Sequence, residues 1–205
     1  MHVSYSSATD WVASLPADTP MERSPHRSAP LTALKPDQMS PALDALSLKF
    51  AVHTRTSNSP AVDVGCGDGI ATAAALARGG RVIAVDPSVP ALRQLVARIP
   101  HEQLARLKLR VASLPALDFK SARFSAVHAS RVLHLLDPDI AQRSLEKFFR
   151  WLYPAGKLFI STPAADEMQL RMQLEAAGFI VESLSCYALP WDGEQICFGV
   201  IARCT

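Results

Sequence analysis

The sequence has no glycine before Gly65. All nine lie at or beyond it, whereas seven of the fifteen prolines lie at or before Pro60. A chain divided in this way is built to two different rules. It also lacks any apolar run near the roughly 18–20 residues needed to cross a membrane. Its longest apolar stretches, around Val132–Leu136 and Phe198–Ala202, suit a core. The start, MHVSYSSATDW, has no basic segment leading into an apolar one, so no secretory signal is expected. Cys66, Cys186, Cys197 and Cys204 show no paired metal-ligand spacing, and no metal is expected. A chain of 205 residues needs no disulfide staples, so free thiols in a reducing cytoplasm are expected. Charge of one sign is scarce as well. The balance of 21 Lys+Arg against 19 Asp+Glu leaves +2, without the basic stripe of a nucleic-acid binder. With 49% hydrophobic and 20% charged residues, disorder throughout is excluded.

Residues 1–39 are rich in Ser, Thr and Pro, with Trp11, Leu15 and Leu31 as rare apolar anchors. Such a segment buries little surface alone and reads as a flexible or lid-forming arm. Residues 40–205 read as one domain. Ser40-Pro41 is a helix start, a hydroxyl N-cap followed by proline. Leu43, Leu46 and Phe50 continue it at helical spacing over residues 41–54.

From Ala61 short apolar strands alternate with helical patterns. Strands are expected at Ala61–Val64, Arg81–Val85, Leu107–Val111, Phe124–Ala129, Lys157–Ser161, Phe179–Ser185 and Ile196–Arg203. Helices are expected at Ile70–Arg78, Ser88–Ile99, after Asp137-Pro138 through Trp151, and at Ala165–Ala177. This alternation marks an α/β fold with a mostly parallel sheet covered on both faces, a three-layer sandwich. The link between the last two strands is too short for a parallel crossover, so the last strand should be antiparallel.

The first strand runs directly into Gly65-Cys66-Gly67-Asp68-Gly69, and the second ends in Asp86-Pro87. Glycines let backbone approach a ligand, and the following helix offers unpaired N–H donors. A carboxylate roughly 20 residues further on can accept hydrogen bonds from ribose hydroxyls. The dinucleotide fingerprint needs a third glycine where this chain has Ile70, and Asp63 stands two residues before the first glycine. That acid would repel a pyrophosphate and suits an ammonium. A nucleoside bearing an amino-acid head without phosphate fits this charge pattern, as S-adenosylmethionine does.

AVDVGCGDG resembles the first motif of class I S-adenosylmethionine-dependent methyltransferases, and VIAVDPS resembles their second. RFSAVHASRVLHLL and RWLYPAGKLFI are similar to the segments around their fourth and fifth strands. The resemblance covers about residues 55–205 and implies a Rossmann-like methyltransferase fold with S-adenosylmethionine as methyl donor and S-adenosylhomocysteine as product. It implies that Gly65, Cys66 and Gly67 line the methionine end, with Asp63 near the ammonium. Asp86 would hold the ribose, Pro87 would lie beside the adenosine, Ser113 and Leu114 would flank adenine, and Ser130 would close over the cofactor. Two positions depart from the pattern: Ser113 replaces a frequent acid at the adenine amino group, and Phe124-Ser125 replaces Phe-Asp.

His134 is the candidate general base, against a structural hydrogen-bonding role. Arg131 is a candidate for an anionic substrate, against a solvated arginine. Tyr5, Trp11 and His53 are candidate lid residues on the substrate, and Tyr187 and Trp191 could reach it from the last hairpin. His128 reads as a satisfied core histidine, and Cys66 as a packing residue. The expected reaction is in-line methyl transfer to an oxygen, nitrogen or carbon of a small molecule, by a monomer or homodimer. The alternatives are an RNA or protein acceptor, or a non-catalytic binding module. Nucleic acid is disfavoured because no Asn/Asp-Pro-Pro-aromatic motif follows the fourth strand.

Overall fold

The computed structural model describes residues 41–163, 167–188 and 196–205. Seven strands form one sheet: β1 (Ala61–Val64), β2 (Val82–Asp86), β3 (Leu107–Val111), β4 (Phe124–Ser130), β5 (Leu152–Pro163), β6 (Phe179–Ala188) and β7 (Ile196–Cys204). The helices are α1 (Pro41–Arg55), α2 (Ile70–Ala77), α3 (Val89–Arg98), α4 (Pro138–Trp151) and α5 (Glu167–Ala176). Strand order is β3-β2-β1-β4-β5-β7-β6. The first five strands pair in parallel. β7 is inserted antiparallel between β5 and β6. The expected seven-stranded α/β architecture, with its antiparallel last strand, is present.

The two sheet faces are filled differently. Toward α4 and α5 lie Val62, Phe124, Val127, Leu158 and Ile160, packed with Leu145, Phe148 and Trp151. The last three recur at helical spacing, which gives α4 one apolar face against the sheet. Toward α1, α2 and α3 the core is small: Ala61, Ala71, Ala75, Ala84 and Ala126 let helices approach closely, with Phe50, Leu92 and Phe159 filling between them. Glycine is needed at Gly80, after α2, because a Cβ there would strike Thr54 of α1 and the Ala75 carbonyl.

That Thr54 contact also orients α1. Its C-terminal half lies beside the end of α2, and His53 reaches Ser125 at the beginning of β4. The start of α1 therefore points toward the other end of the sheet, where the parallel strands finish. Residues 1–40, which carry Tyr5 and Trp11, lie outside the described residues, as does Trp191. The side chain of Tyr187 is likewise outside them.

Strand and helix limits differ from expectation mainly at β5. It begins at Leu152, directly after Trp151, because the chain turns from α4 into the sheet through Ala155, at φ 62, and Gly156. Ser130 is the last residue of β4 rather than a residue beyond it.

Candidate functional site

The turn from β1 into α2 sits at the finishing edge of the parallel strands. Gly65 and Cys66 both donate their N–H to the Val85 carbonyl, at 2.8 and 3.1 Å. Gly69 donates to the Cys66 carbonyl at 2.9 Å, closing the loop before α2. Gly65 has φ +65, and a Cβ on it would collide with Val132. Glycine is required there on both counts. Gly67, at φ +53, has nothing within 4 Å of where its Cβ would be, so the turn faces open space at that residue.

Asp86 closes one side of this opening. Its Oδ2 accepts the Gly67 N–H at 2.9 Å and its Oδ1 accepts the Ser88 N–H at 2.8 Å. Burial raises its pKa, against the lowering effect of those two hydrogen bonds. Pro87 is exposed beside it. Ala112 donates to the Asp86 carbonyl at 3.3 Å, which brings the segment after β3 to the same edge. There Ser113 is exposed and Leu114 is buried. Asp68 is tied across to α3: Arg98 bonds its carboxylate and its carbonyl, each at 3.2 Å.

Ser130 arrives at the same end of the sheet on β4. Its hydroxyl pairs with that of Ser161 at 2.6 Å. Arg131 follows with φ 54, a left-handed conformation uncommon for a residue with a side chain. Its N–H bonds the Ser161 carbonyl at 2.8 Å, and its charge is felt at Asp68. Val132 then lies on Gly65, and the short 3-10 turn Leu133–Leu135 exposes His134. Gly65, Cys66, Gly67, Asp86, Pro87, Ser113, Leu114, Ser130, Arg131 and His134 thus all belong to one edge of the sheet.

His53 does not join them. Its Nε2 lies 3.0 Å from the Ser125 carbonyl, five residues back from Ser130, about 16 Å along an extended strand. There it lines a groove of about 720 Å³ with Val52, Lys157, Phe159 and Ile201. The helical spacing around Phe50 was legible, but the direction of α1 across the sheet comes from long-range contacts. A lid role for His53 is therefore corrected.

Asp63 is also not at the surface of the site. It is 1% exposed, and both its oxygens are taken from within the protein. Oδ2 accepts the Thr72 hydroxyl at 2.6 Å, and Oδ1 faces His128 Nδ1 at 2.8 Å. Each oxygen thus has one partner inside the protein, and the carboxylate lies beneath the turn rather than on its open face. His128 is buried as expected but only half satisfied: its Nε2 has no hydrogen-bond partner. Its ring stacks on Phe50 with centroids 4.9 Å apart. Cys66 is buried, and burial raises its thiol pKa well above the usual value. That suits a packing residue, since the thiolate is the nucleophile.

Sequence reading missed Thr72, Val132 and Arg98. Thr72 carried a signal, because it is the single hydroxyl in the helix IATAAALA. Val132 and Arg98 carried none, since each acts across the fold. Among the described residues no group of three or more acidic, histidine or cysteine side chains could hold a metal, and no helix is long and apolar enough to cross a membrane.

A parallel sheet in this order, with a glycine turn after β1 and an acid closing β2, defines a Rossmann-like nucleotide-binding fold. Residues 61–156 match a family described as a methyltransferase domain. The ubiquinone biosynthesis O-methyltransferase of Nitrobacter winogradskyi is 27% identical over 173 residues, covering 81% of this chain and 64% of that protein. The chain thus spans a little under two thirds of that relative's length. A Burkholderia thailandensis 1,6-didemethyltoxoflavin-N1-methyltransferase, solved with its substrate and S-adenosylhomocysteine, superposes with TM-score 0.65 at 24% identity, covering 79% of each chain. The [4+2]-cyclase SpnF also superposes with TM-score 0.65, at 18% identity over 80% of this chain and 81% of that one. The fold alone therefore does not fix the reaction. Residues 61–156, a little under half of the chain, thus match a methyltransferase domain, set in the Rossmann-like fold that these solved structures share.

Proposed function

We propose that the protein transfers a methyl group from S-adenosylmethionine to a small-molecule acceptor. The observation that carries this reading is the Asp86 carboxylate fixed by Gly67 and Ser88 beside the open face of Gly67. Each oxygen has taken one backbone donor and retains acceptor capacity for a ribose hydroxyl. The residues fit the nucleoside: Gly65, Cys66 and Gly67 for the methionine end, Asp86 for the ribose, and Pro87, Ser113 and Leu114 for the adenosine. Ser130 closes the β4 side.

The sulfonium supplies an already activated methyl. The chain's own work is to align the acceptor and exclude water, worth up to roughly 7–11 kcal/mol in well-oriented systems. His134, exposed on the turn after β4, is the proposed base for an acceptor that must lose a proton. Arg131, next to Ser130, is the proposed partner of an anionic acceptor. The arm with Tyr5 and Trp11, which precedes α1 in the sequence, is the proposed cover of the acceptor. A hydroxyl acceptor is favoured by the name of the Nitrobacter relative, and a ring nitrogen by the Burkholderia one. Free Cys66, Cys186 and Cys204 suit the cytoplasm.

Calorimetry with S-adenosylmethionine tests this. Asp86→Ala should lose most binding, by about 100-fold, as expected when charge-assisted hydrogen bonds of roughly 1.5–3 kcal/mol are removed. An unchanged affinity in that variant would overturn the site.

A further inference from the structure

The α1 helix is apolar on two sides. Leu46 and Phe50 point into the core, where Phe50 packs on His128 of β4 and Phe159 of β5. Leu48 and Val52, one turn apart on another stripe, are 44% and 51% exposed. A surface helix ordinarily needs a single apolar stripe against its core, so the second one calls for a cover of its own. It forms one wall of the groove of about 720 Å³, which it shares with Phe159 of β5 and Ile201 of β7.

Charge in this groove is one-sided. Lys49 and Lys157 line it, and Glu182 is its one acid among the described residues. That acid is shared: Lys157 bonds one oxygen at 2.8 Å, and Arg203 lies 3.8 Å from the other. Among the described residues Lys49 is in no ion pair. Burial lowers the pKa of His53, which therefore adds no charge at neutral pH. Lys49, Lys157 and Arg203 against Glu182 leave the groove positive, so an occupant should carry acids beside an apolar centre.

The chain itself holds such a segment. Its first 22 residues carry Asp10, Asp18 and Glu22, and the first Lys or Arg is Arg23. Trp11, Val12 and Leu15 lie between Asp10 and Asp18. The segment is also tethered to the groove, because the chain runs from it into α1, the groove's own wall. About 26 residues separate Leu15 from Pro41 and can span up to about 85 Å. Leu48 is only about 10 Å along α1 from Pro41. Such a tether gives an effective concentration on the order of 1 mM, so a contact with an intrinsic Kd of about 0.1 mM is occupied about ten to one.

We propose that residues 10–18 of this chain occupy the groove, with Trp11, Val12 and Leu15 against Leu48, Val52 and Ile201, and with Asp10 and Asp18 toward Lys49 and Lys157. The seat lies beside His53, at the end of the sheet where β4 begins, away from the glycine turn. The same arm is the proposed cover of the acceptor, so groove and acceptor compete for it. The groove holds it while no acceptor is bound.

Hydroxyl-radical footprinting of the full chain, without nucleoside or acceptor, tests the seat by the oxidation rate of Trp11. A free peptide of residues 1–22 gives the unprotected rate. In the wild type Trp11 should be oxidised about tenfold more slowly than in the peptide, the ratio set by the tether. Val52→Asp puts an acid into the groove and should return Trp11 to within twofold of the peptide rate. Lys49→Glu should speed its oxidation about threefold, the scale of an exposed ion pair lost and reversed. Trp151, enclosed on the other face, reports in the same spectra that each variant is folded. Leu48→Asp takes the place of Val52→Asp if that variant exposes Trp151. A wild-type Trp11 oxidised at the peptide rate overturns the proposal. So does protection that either groove variant leaves unchanged, since the arm then lies elsewhere. Protection that fades on hundredfold dilution means that a second copy supplies the segment, and overturns the seat within one chain. With no nucleoside or acceptor present, each of these failures leaves the proposed methyl transfer standing.

Discussion

The two faces of the sheet are built from the same strands and do different work. On the α4–α5 face every large buried side chain is apolar, with Phe124, Phe148 and Trp151 wholly enclosed. On the α1–α3 face the alanines bring helices close, and a polar chain runs from Thr72 through Asp63 to His128 across three elements. Burying polar groups is costly unless they are bonded. The Thr72–Asp63–His128 chain puts its share of that cost on the side where the glycine turn lies. The aromatic face holds the fold, and the alanine face holds the site.

The largest test of that division is Trp151→Ala. The indole packs against Phe119 and Phe148, and its Nε1 donates to Asp118 at 3.0 Å. Truncation should destabilise the protein by about 3–5 kcal/mol in denaturant melts. Affinity for S-adenosylmethionine, measured well below the melting temperature, should stay within twofold. A matching loss of affinity would break the division between the faces.

A smaller effect on stability and a larger one on binding are expected from Gly65→Ala. The residue holds a left-handed φ of +65, and Val132 occupies the space a Cβ needs. Left-handed backbone strain costs about 1–3 kcal/mol in the melt. Binding should fall more than tenfold, because Val132 is displaced together with the turn that carries Arg131 and His134. If Gly65→Ala lowers stability and leaves binding intact, the turn is only a packing element.

These two predictions also separate what could be read from the chain and what could not. The strands and the glycine turn were legible because period-two and helical patterns are local, and because Gly65 through Gly69 interrupts them at once. Asp86 was legible through its spacing from that turn. The partnership of Asp63 with His128 spans 65 residues and requires β1 and β4 to be neighbours. Strand adjacency is a property of topology, so an acid before a glycine turn looks the same whether it faces a ligand or a histidine. His53 failed for a related reason. A helical repeat shows which side of α1 is apolar, but Thr54 against Gly80 and His53 against Ser125 decide which end meets the site.

The smallest expected effect is one of pH, and it falls on Asp86. Burial is the largest influence on Asp86 and raises its pKa, only partly offset by the Ser88 and Gly67 N–H groups. A folded-state value above the unfolded one means the native protein takes up this proton first as pH falls. The stabilising contribution of Asp86 is then full below its unfolded pKa and is lost as pH rises through the folded value. Ligand binding runs the other way, since ribose hydroxyls donate to the ionised carboxylate. Affinity for S-adenosylmethionine should therefore fall on acidification at a pH above the ordinary carboxylate range near 4, by at most about tenfold per unit. The same fall should appear for S-adenosylhomocysteine, because both nucleosides carry the ribose. A decline confined to S-adenosylmethionine would mean that the titrating group is not the one that holds the ribose.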